Sequence, residues 1–356
     1  MTDVFSRYPD LASRLLGSSV PWANDELFAA RDNLIEPSTP VFHPATFGTR
    51  GQVYDGWETR RRRDAGPDAY DEAIIRLGVP GIVFAVDIDT SHFTGNYPPE
   101  ASVEGCAVAG YPDLNVVRDA DWRPLVRRAP LQADAHNRFT VLESADPHDD
   151  DAIAGELVTH VRLRIYPDGG VARLRVHGTP VLDPRIVDAG PFDLAALENG
   201  GLVLDSSNAF YSSATNLILP GPARTMGEGW ETARRRDHGH DWVIFQLAAA
   251  GHVRLIELDA SHFVGNAPGS CIVEGRHGDE PWQEVLPRTP VQPDVRHRFP
   301  VADADTGPLT QLRLNVYPDG GLARLRAFGT PTPEARAAIG RRFAAALPIT
   351  MARDLL

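Results

Sequence analysis

The stretch VRLRIYPDGGVARLRVHGTP, residues Val161–Pro180, occurs a second time as LRLNVYPDGGLARLRAFGTP, residues Leu312–Pro331. In both copies apolar and polar side chains alternate on either side of a Tyr-Pro-Asp-Gly-Gly segment. Such alternation has the period of a β-strand, and Pro and Gly supply the backbone angles of a tight turn. The stretch therefore predicts a β-hairpin with one apolar face and one arginine face in each copy.

Two further motifs recur in the same order along the chain. DGWETRRRRD (Asp55–Asp64) returns as EGWETARRRD (Glu228–Asp237), and DTSHFTGNYP (Asp89–Pro98) returns as DASHFVGNAP (Asp259–Pro268). A repeat of this length is a whole domain rather than one unit of a solenoid. The chain is therefore predicted to contain two domains of the same fold.

The boundary between the repeats is marked by Pro184, Pro191, Gly200 and Gly201, residue types that interrupt regular structure. The expected organisation is a first repeat over 1–182, a linker over 183–200, a second repeat over 201–332 and a C-terminal helix or tail over 333–356.

Each repeat is predicted to be all-β. Short strands separated by Gly- and Pro-containing turns are typical of a sandwich or jelly roll, and the apolar run Ile82–Ile88 suits a buried central strand. Helix is expected only at the chain ends. Near the C-terminus, Thr332 can cap a helix that begins with Pro333.

Composition restricts the class of partner. The chain has 356 residues and a net charge of -13, which argues against nucleic acid or an anionic membrane as partner. Cys106 and Cys271 are too few for a disulfide framework or a four-thiolate metal site. No apolar signal core and no run of about 18 apolar residues is present, so we expect a cytoplasmic protein.

Four arginines are expected on one face of the first hairpin: Arg162, Arg164, Arg173 and Arg175. Like charges opposite one another on paired strands cost about 0.2–1 kcal/mol per pair, so these side chains need carboxylate partners or an anionic ligand. Guanidinium groups bind carboxylates through two parallel hydrogen bonds. An ion-paired face and an anion-binding site both remain open.

A second cluster follows the predicted central strand. Asp87 and Asp89 share a face of that strand, and His92 comes directly after it. Carboxylates and imidazole serve general acid–base catalysis and also bind metals, but the spacing matches no standard metal motif, so no metal or cofactor is expected. Alternatively, Asp89 or Ser91 caps the turn that follows.

Two glutamates complete the candidates. Glu58 lies beside an arginine run, and its simplest structural role is that of an ion-pair partner. Glu104 lies near a predicted strand end, and residues in loops at the end of a sandwich often carry function.

Taken together, DGWETRRRR, DTSHFTGNYPP and the YPDGG segment resemble the allantoicase family, over nearly the whole chain and in both copies. The resemblance implies two tandem jelly-roll β-sandwich domains of the galactose-binding-like type. It also implies a hydrolase that converts allantoate to ureidoglycolate and urea in purine catabolism, and assembly into a homo-oligomer.

That substrate makes definite chemical demands. Allantoate carries one carboxylate and two ureido groups, so its hydrolysis needs a cation, a proton donor for the departing nitrogen and a base for water. Substrate binding is expected from Arg61, Arg173, Arg175, Asn96 and Glu58. Proton transfer is expected from His92 with Asp89 or Glu104, and from His262 as the counterpart in the second repeat.

Three alternatives remain open at this point. A non-catalytic β-sandwich that binds small molecules or carbohydrates is the first, although exposed aromatic platforms are expected there and charged motifs dominate here. A metal-dependent ureidohydrolase is the second, and an inactive relative of the allantoicases is the third.

Overall fold

The computed structural model describes residues 4–63, 66, 68–141, 155–301, 307–349 and 351–352. The chain forms two compact units. The first contains the residues up to Val181 together with those from Ala344 onward, and the second spans Leu182–Phe343. The segment 183–200, expected as a linker, contains a short helix and a short strand and belongs to the second unit.

The first unit is built almost entirely of strands. They are β1 (Ser19–Ala23), β2 (Phe47–Gly48), β3 (Gly51–Gln52), β4 (Trp57–Glu58), β5 (Asp71–Asp89), β6 (Glu100–Cys106), β7 (Arg123–Pro130), β8 (His136–Thr140), β9 (Val158–Tyr166), β10 (Gly170–Val171) and β11 (Arg173–Pro180).

The second unit repeats this order with an added short strand, β12, and without counterparts of β2 and β3 in the described residues. Its strands are β12 (Phe192–Asp193), β13 (Leu202–Ser206), β14 (Trp230–Glu231), β15 (Asp241–Asp259), β16 (Ser270–Arg276), β17 (Gln283–Pro290), β18 (Arg296–Pro300), β19 (Leu309–Tyr317), β20 (Gly321–Leu322) and β21 (Arg324–Pro331).

Helices of the described chain are few and mostly short. They are α1 (Val4–Arg7), α2 (Leu114–Arg118), α3 (Pro184–Asp188) and α4 (Pro333–Ala346), with 3-10 turns at Arg14–Leu16, Arg31–Ile35, Leu197–Asn199, Ala214–Ile218 and Met226–Glu228. Helix α4 begins as predicted, because the Ala335 N–H donates to Thr332 Oγ1 at 3.1 Å. Helices α2 and α3 lie inside the chain, so the expectation of helix only at the ends was wrong. None of the described helices is long and apolar enough to cross a membrane.

Strand β5 organises the first sandwich because its two halves pair with different strands. Up to Arg76 it lies between β1 and β9. From Gly81 onward it pairs with β11, and from Ala85 onward β8 lies on its other side. The first layer continues from β9 through β6 to β7. Buried side chains such as Ile75, Leu163 and Leu174 fill the space between the layers. Strand β15 has the same role in the second unit. The prediction of two jelly-roll sandwiches is confirmed.

The predicted hairpin is wrong. Strands β9 and β11 do not pair with each other but with opposite halves of β5. The turn segment between them contains a cis Tyr166–Pro167 peptide, and β10 pairs with β4. Alternation specifies which face of a strand is buried but leaves the choice of partner strand open. Pairing with opposite halves of β5 also separates the two arginine pairs, and each pair has its own carboxylate partners.

Candidate active site

The three repeated motifs meet at one cleft of the first unit. The cleft has a volume of about 780 Å³ and is lined mainly by residues from the segments 51–63, 94–99 and 167–169. Hydrogen bonds join these segments. The Gly170 N–H donates to Asn96 O at 2.7 Å, and the Arg62 N–H donates to Asp168 Oδ2 at 2.7 Å.

Two glycines allow the segments to approach this closely. Gly169 has a φ of +144°, and a Cβ there would lie 2.7 Å from the Pro98 nitrogen. A Cβ on Gly170 would lie 2.0 Å from the Phe93 ring. Only glycine fits at both positions, which explains the Gly-Gly pair that closes the YPDGG segment.

Glu58 presents its carboxyl group to the cleft. Its neighbour Trp57 is fully buried, and successive strand residues face opposite sides, so Glu58 faces outward. The Asn96 Nδ2 group donates to Glu58 Oε1 at 2.8 Å. Burial raises the pKa of Glu58 above its usual value, and the Asn96 hydrogen bond and nearby Arg61 offset only part of that rise. A carboxyl group of this kind is suited to carry a proton.

Unpaired cations line the same cleft. Arg61 and Arg63 are exposed, and neither guanidinium has a hydrogen bond or ion pair with any described residue. Arg62, between them, is held by Asp71 at 2.7 Å. Arg61 and Arg63, the second and fourth arginines of the run Arg60–Arg63, are therefore free to bind an anion, whereas Arg62 stabilises the fold.

Two other predicted substrate-binding arginines lie outside the lining of the cleft. Arg173 is 1% exposed, and its guanidinium donates to Ser38 O at 3.1 Å and to Asp55 Oδ2 at 2.8 Å. Arg175 pairs with Asp10 at 3.4 Å. Both guanidinium groups thus have partners within the protein.

Two predicted catalytic carboxylates also lie away from the cleft lining. Asp89 is buried, and its Oδ1 accepts the Ser91 N–H at 2.8 Å, the capping geometry that the sequence left open. Glu104 Oε2 contacts Arg162 at 2.7 Å and Arg164 at 3.3 Å on the outer face of the first sheet. These two arginines therefore form the ion-paired face.

The two predicted catalytic histidines occupy equivalent turns, one in each unit. His92 has a φ of +70°, and its Nε2 lies 3.2 Å from Pro40 O. His262 has a φ of +74°, and its Nε2 lies 3.0 Å from Ala223 O. His92 is not among the residues that line the cleft. The structure brings Glu58, Arg61 and Asn96 together and does not bring His92 to them.

Sequence reasoning missed part of the cleft. Gln52 and Tyr54 line it but belong to a segment without a counterpart in the second repeat, so comparison of the repeats gives no signal for them. Asp168 also lines it and was interpreted only as a turn residue. Nowhere in the described chain do three or more His, Cys, Asp or Glu side chains form a group arranged to hold a metal ion.

Fold and cleft together define a two-repeat β-sandwich enzyme for a small polar substrate. The allantoicase repeat profile matches residues 9–181 and 192–332. A probable allantoicase of Nocardia farcinica is 54% identical over 91% of this chain and 95% of that protein. A probable allantoicase of Streptomyces coelicolor is 46% identical over 95% of this chain and 89% of that protein. The allantoicase structure from Saccharomyces cerevisiae is 31% identical with a TM-score of 0.76, covering 92% of this chain and 95% of that one. The chain belongs to the allantoicase family.

Proposed function

We propose that this protein hydrolyses allantoate to ureidoglycolate and urea in the cleft of the first repeat, as part of purine breakdown through allantoin. Family membership supports the reaction. One observation supports the location: the three repeated motifs converge on a cleft where a carboxyl group of raised pKa lies beside a free guanidinium.

Arg61 binds the substrate carboxylate in this proposal. A guanidinium holds a carboxylate through two parallel charge-assisted hydrogen bonds, which fixes its orientation as well as its position. Arg63 adds positive charge to the same wall of the cleft. Together they offset the acidic character of the whole protein, whose net charge is -13.

Glu58 transfers the proton. In its protonated form it donates to the nitrogen of the departing ureido group, the C–N bond breaks and urea leaves. The resulting carboxylate accepts a proton from the water that adds to the same carbon, which returns Glu58 to its starting state. Asn96 positions Glu58 through its Nδ2 group. The side-chain carbonyl of Asn96, Oδ1, has no partner among the described residues and is available to a ureido N–H.

We also propose a cytosolic homo-oligomer without nucleic-acid or membrane partners. Cys106 and Cys271 are buried free thiols, and burial raises the pKa of each to about 12, as suits a reducing compartment in which neither is oxidised. Light scattering on the purified protein measures the oligomeric state.

Urea release from allantoate by the purified protein, with and without a chelator, tests the function. Release in both conditions with ureidoglycolate as co-product is the expected result. Release only without chelator would establish a metal-dependent ureidohydrolase. No release even with added divalent metals would leave a binding protein or an inactive relative.

A further inference from the structure

The two repeats differ most in the segment before the Trp-Glu-Thr motif. Residues 36–55 separate Ile35 from Gly56, a total of 20, whereas residues 219–228 separate Ile218 from Gly229, a total of 10. The longer segment of the first repeat, here called the insertion loop (36–55), contains β2 and β3 and brings Gly51, Gln52 and Tyr54 to the cleft.

Aromatic stacking fixes the insertion loop against the rest of the unit. The Tyr54 ring stacks on Phe93 with centroids 4.8 Å apart, and Phe42 stacks on His92 at 5.9 Å. Phe93 is itself 1% exposed. The loop is therefore an ordered wall of the cleft, able to hold polar groups in defined positions.

Hydrogen bonds fix the same loop at its ends. Gln52 Nε2 donates to His43 O at 3.1 Å, and the Val41 N–H donates to Asp55 Oδ2 at 3.0 Å. The same Asp55 oxygen accepts from Arg173 at 2.8 Å. Arg173, which the sequence predicted as a substrate ligand, thus stabilises the insertion loop through Asp55.

Two polar groups on this wall have no partner among the described residues: the Gln52 side-chain carbonyl and the Tyr54 hydroxyl. A carbonyl accepts N–H groups, and a hydroxyl both donates and accepts, so the pair complements a ureido group. Glu58, Arg61 and Asn96 already serve the carboxylate and the departing ureido group.

Resting on the function proposed above, we propose that Gln52 and Tyr54 bind the second ureido group and make the first repeat selective for a carboxylate bearing two such groups. The product retains the carboxylate and only one ureido group. A cleft that recognised those features alone would hold product as well as substrate, and discrimination requires contacts that only the substrate makes.

The test compares allantoate with ureidoacetate, which carries the carboxylate and a single ureido group. Kinetics give KM for allantoate and the inhibition constant of ureidoacetate for the wild type, Gln52→Ala and Tyr54→Phe. We expect KM to rise about five- to tenfold in each variant, the loss of a neutral hydrogen bond or two, with the ureidoacetate constant changed less than twofold. Arg50→Ala, an exposed change on the same loop outside the cleft lining, is the control.

Equal weakening of both ligands, or no weakening of either, overturns the assignment. If the wild type releases no urea, the proposed function fails separately, and calorimetric binding of the same two compounds still decides the inference. If the Gln52 and Tyr54 variants lose affinity for allantoate but not for ureidoacetate, the proposed subsite is supported. If they lose affinity for both compounds equally, it is contradicted.

Discussion

The two repeats share one scaffold and differ in what lines it. In the second repeat Asn266 Nδ2 donates to Glu231 Oε1 at 2.7 Å, and the Arg235 N–H donates to Asp319 Oδ2 at 2.7 Å. Both contacts match those of the first repeat. The shared motifs therefore conserve the hydrogen bonds that join these segments, and their presence is not in itself evidence of catalysis.

The residues next to these hydrogen bonds differ between the two repeats. Arg60 forms an ion pair with Asp25 in the first repeat, whereas Ala233 stands at the position of Arg60 in the second. Thr94 is replaced by Val264, which is 69% exposed, and the insertion loop is absent. The second repeat thus keeps these hydrogen bonds but has an exposed valine in place of Thr94 and a segment ten residues shorter before its Trp-Glu-Thr motif. These differences support the proposal that catalysis takes place in the first repeat, and the following changes test that proposal.

Glu58→Gln should have the largest effect. The amide keeps the size and the hydrogen-bonding capacity but cannot transfer a proton, so we expect kcat for urea release to fall about 10²–10⁴-fold. Glu231→Gln is the matched control in the second repeat and should change kcat less than twofold. Comparable losses in both variants would show that both repeats work as active sites.

Arg173→Met should cost the most stability. It leaves the partly exposed Asp55 carboxylate without its guanidinium, and the loss of these charge-assisted hydrogen bonds costs about 1.5–3 kcal/mol. Arg324→Met removes the equivalent side chain, whose hydrogen bonds to the described residues go to backbone carbonyls such as Gly221 O, so a smaller loss is expected. Thermal unfolding midpoints of the two variants measure the difference, and equal shifts would contradict it.

Arg61→Ala should weaken substrate capture. Loss of the charge-assisted bonds to the carboxylate, worth about 1.5–3 kcal/mol, corresponds to a drop in kcat/KM of about 10- to 150-fold. Arg234→Ala is the control in the second repeat. A normal kcat/KM in Arg61→Ala would assign the carboxylate to another cation, with Arg63 the next candidate.

The pH dependence of kcat/KM should show the acid role of Glu58. Because burial raises the pKa of Glu58, its protonated form persists above the usual range, and activity should fall as pH rises through that raised pKa. For stability the sign is the same. The contribution of Glu58 to the free energy of unfolding is complete below the pKa that Glu58 has in the unfolded chain. It is lost as pH rises through the raised pKa of the folded protein. A profile that keeps this limb in Glu58→Gln would assign it to another group.

His92→Ala should have the smallest effect on turnover. We expect kcat to change less than threefold and the stability to fall by about 1 kcal/mol, because the ring contacts Pro40 O and the insertion loop rather than the cleft. His262→Ala should lower the stability by a similar amount. A loss of 10² or more in kcat with an intact fold would restore His92 to the proton-transfer role.

Strand content and the repeat were readable from the sequence because alternation and motif recurrence are local signals. Strand partners were not, since the choice between β9–β11 pairing and pairing through β5 depends on the length and course of β5. The arginines show the same limit for the site. Arg61 and Arg173 look equivalent in sequence, yet one is exposed in the cleft and the other is 1% exposed.

The sequence predicted Glu58 as a substrate-binding residue and not as the proton carrier. Residue type alone cannot separate an ion-pair partner from a proton carrier, because the pKa is set by burial and by Asn96, which lies 38 positions away in the sequence. Gln52 and Tyr54 were missed because they lie in the part of the first repeat that has no second copy.

Strand β5 also has a consequence for how the first unit opens. One continuous strand of 19 residues hydrogen-bonds within both layers, so neither layer can detach while β5 stays paired in the other. Local opening is therefore confined to the rim segments, and the amide protons of β5 should exchange with solvent only when the whole unit unfolds. Hydrogen exchange should then find the slowest amides of both sheets on a single strand.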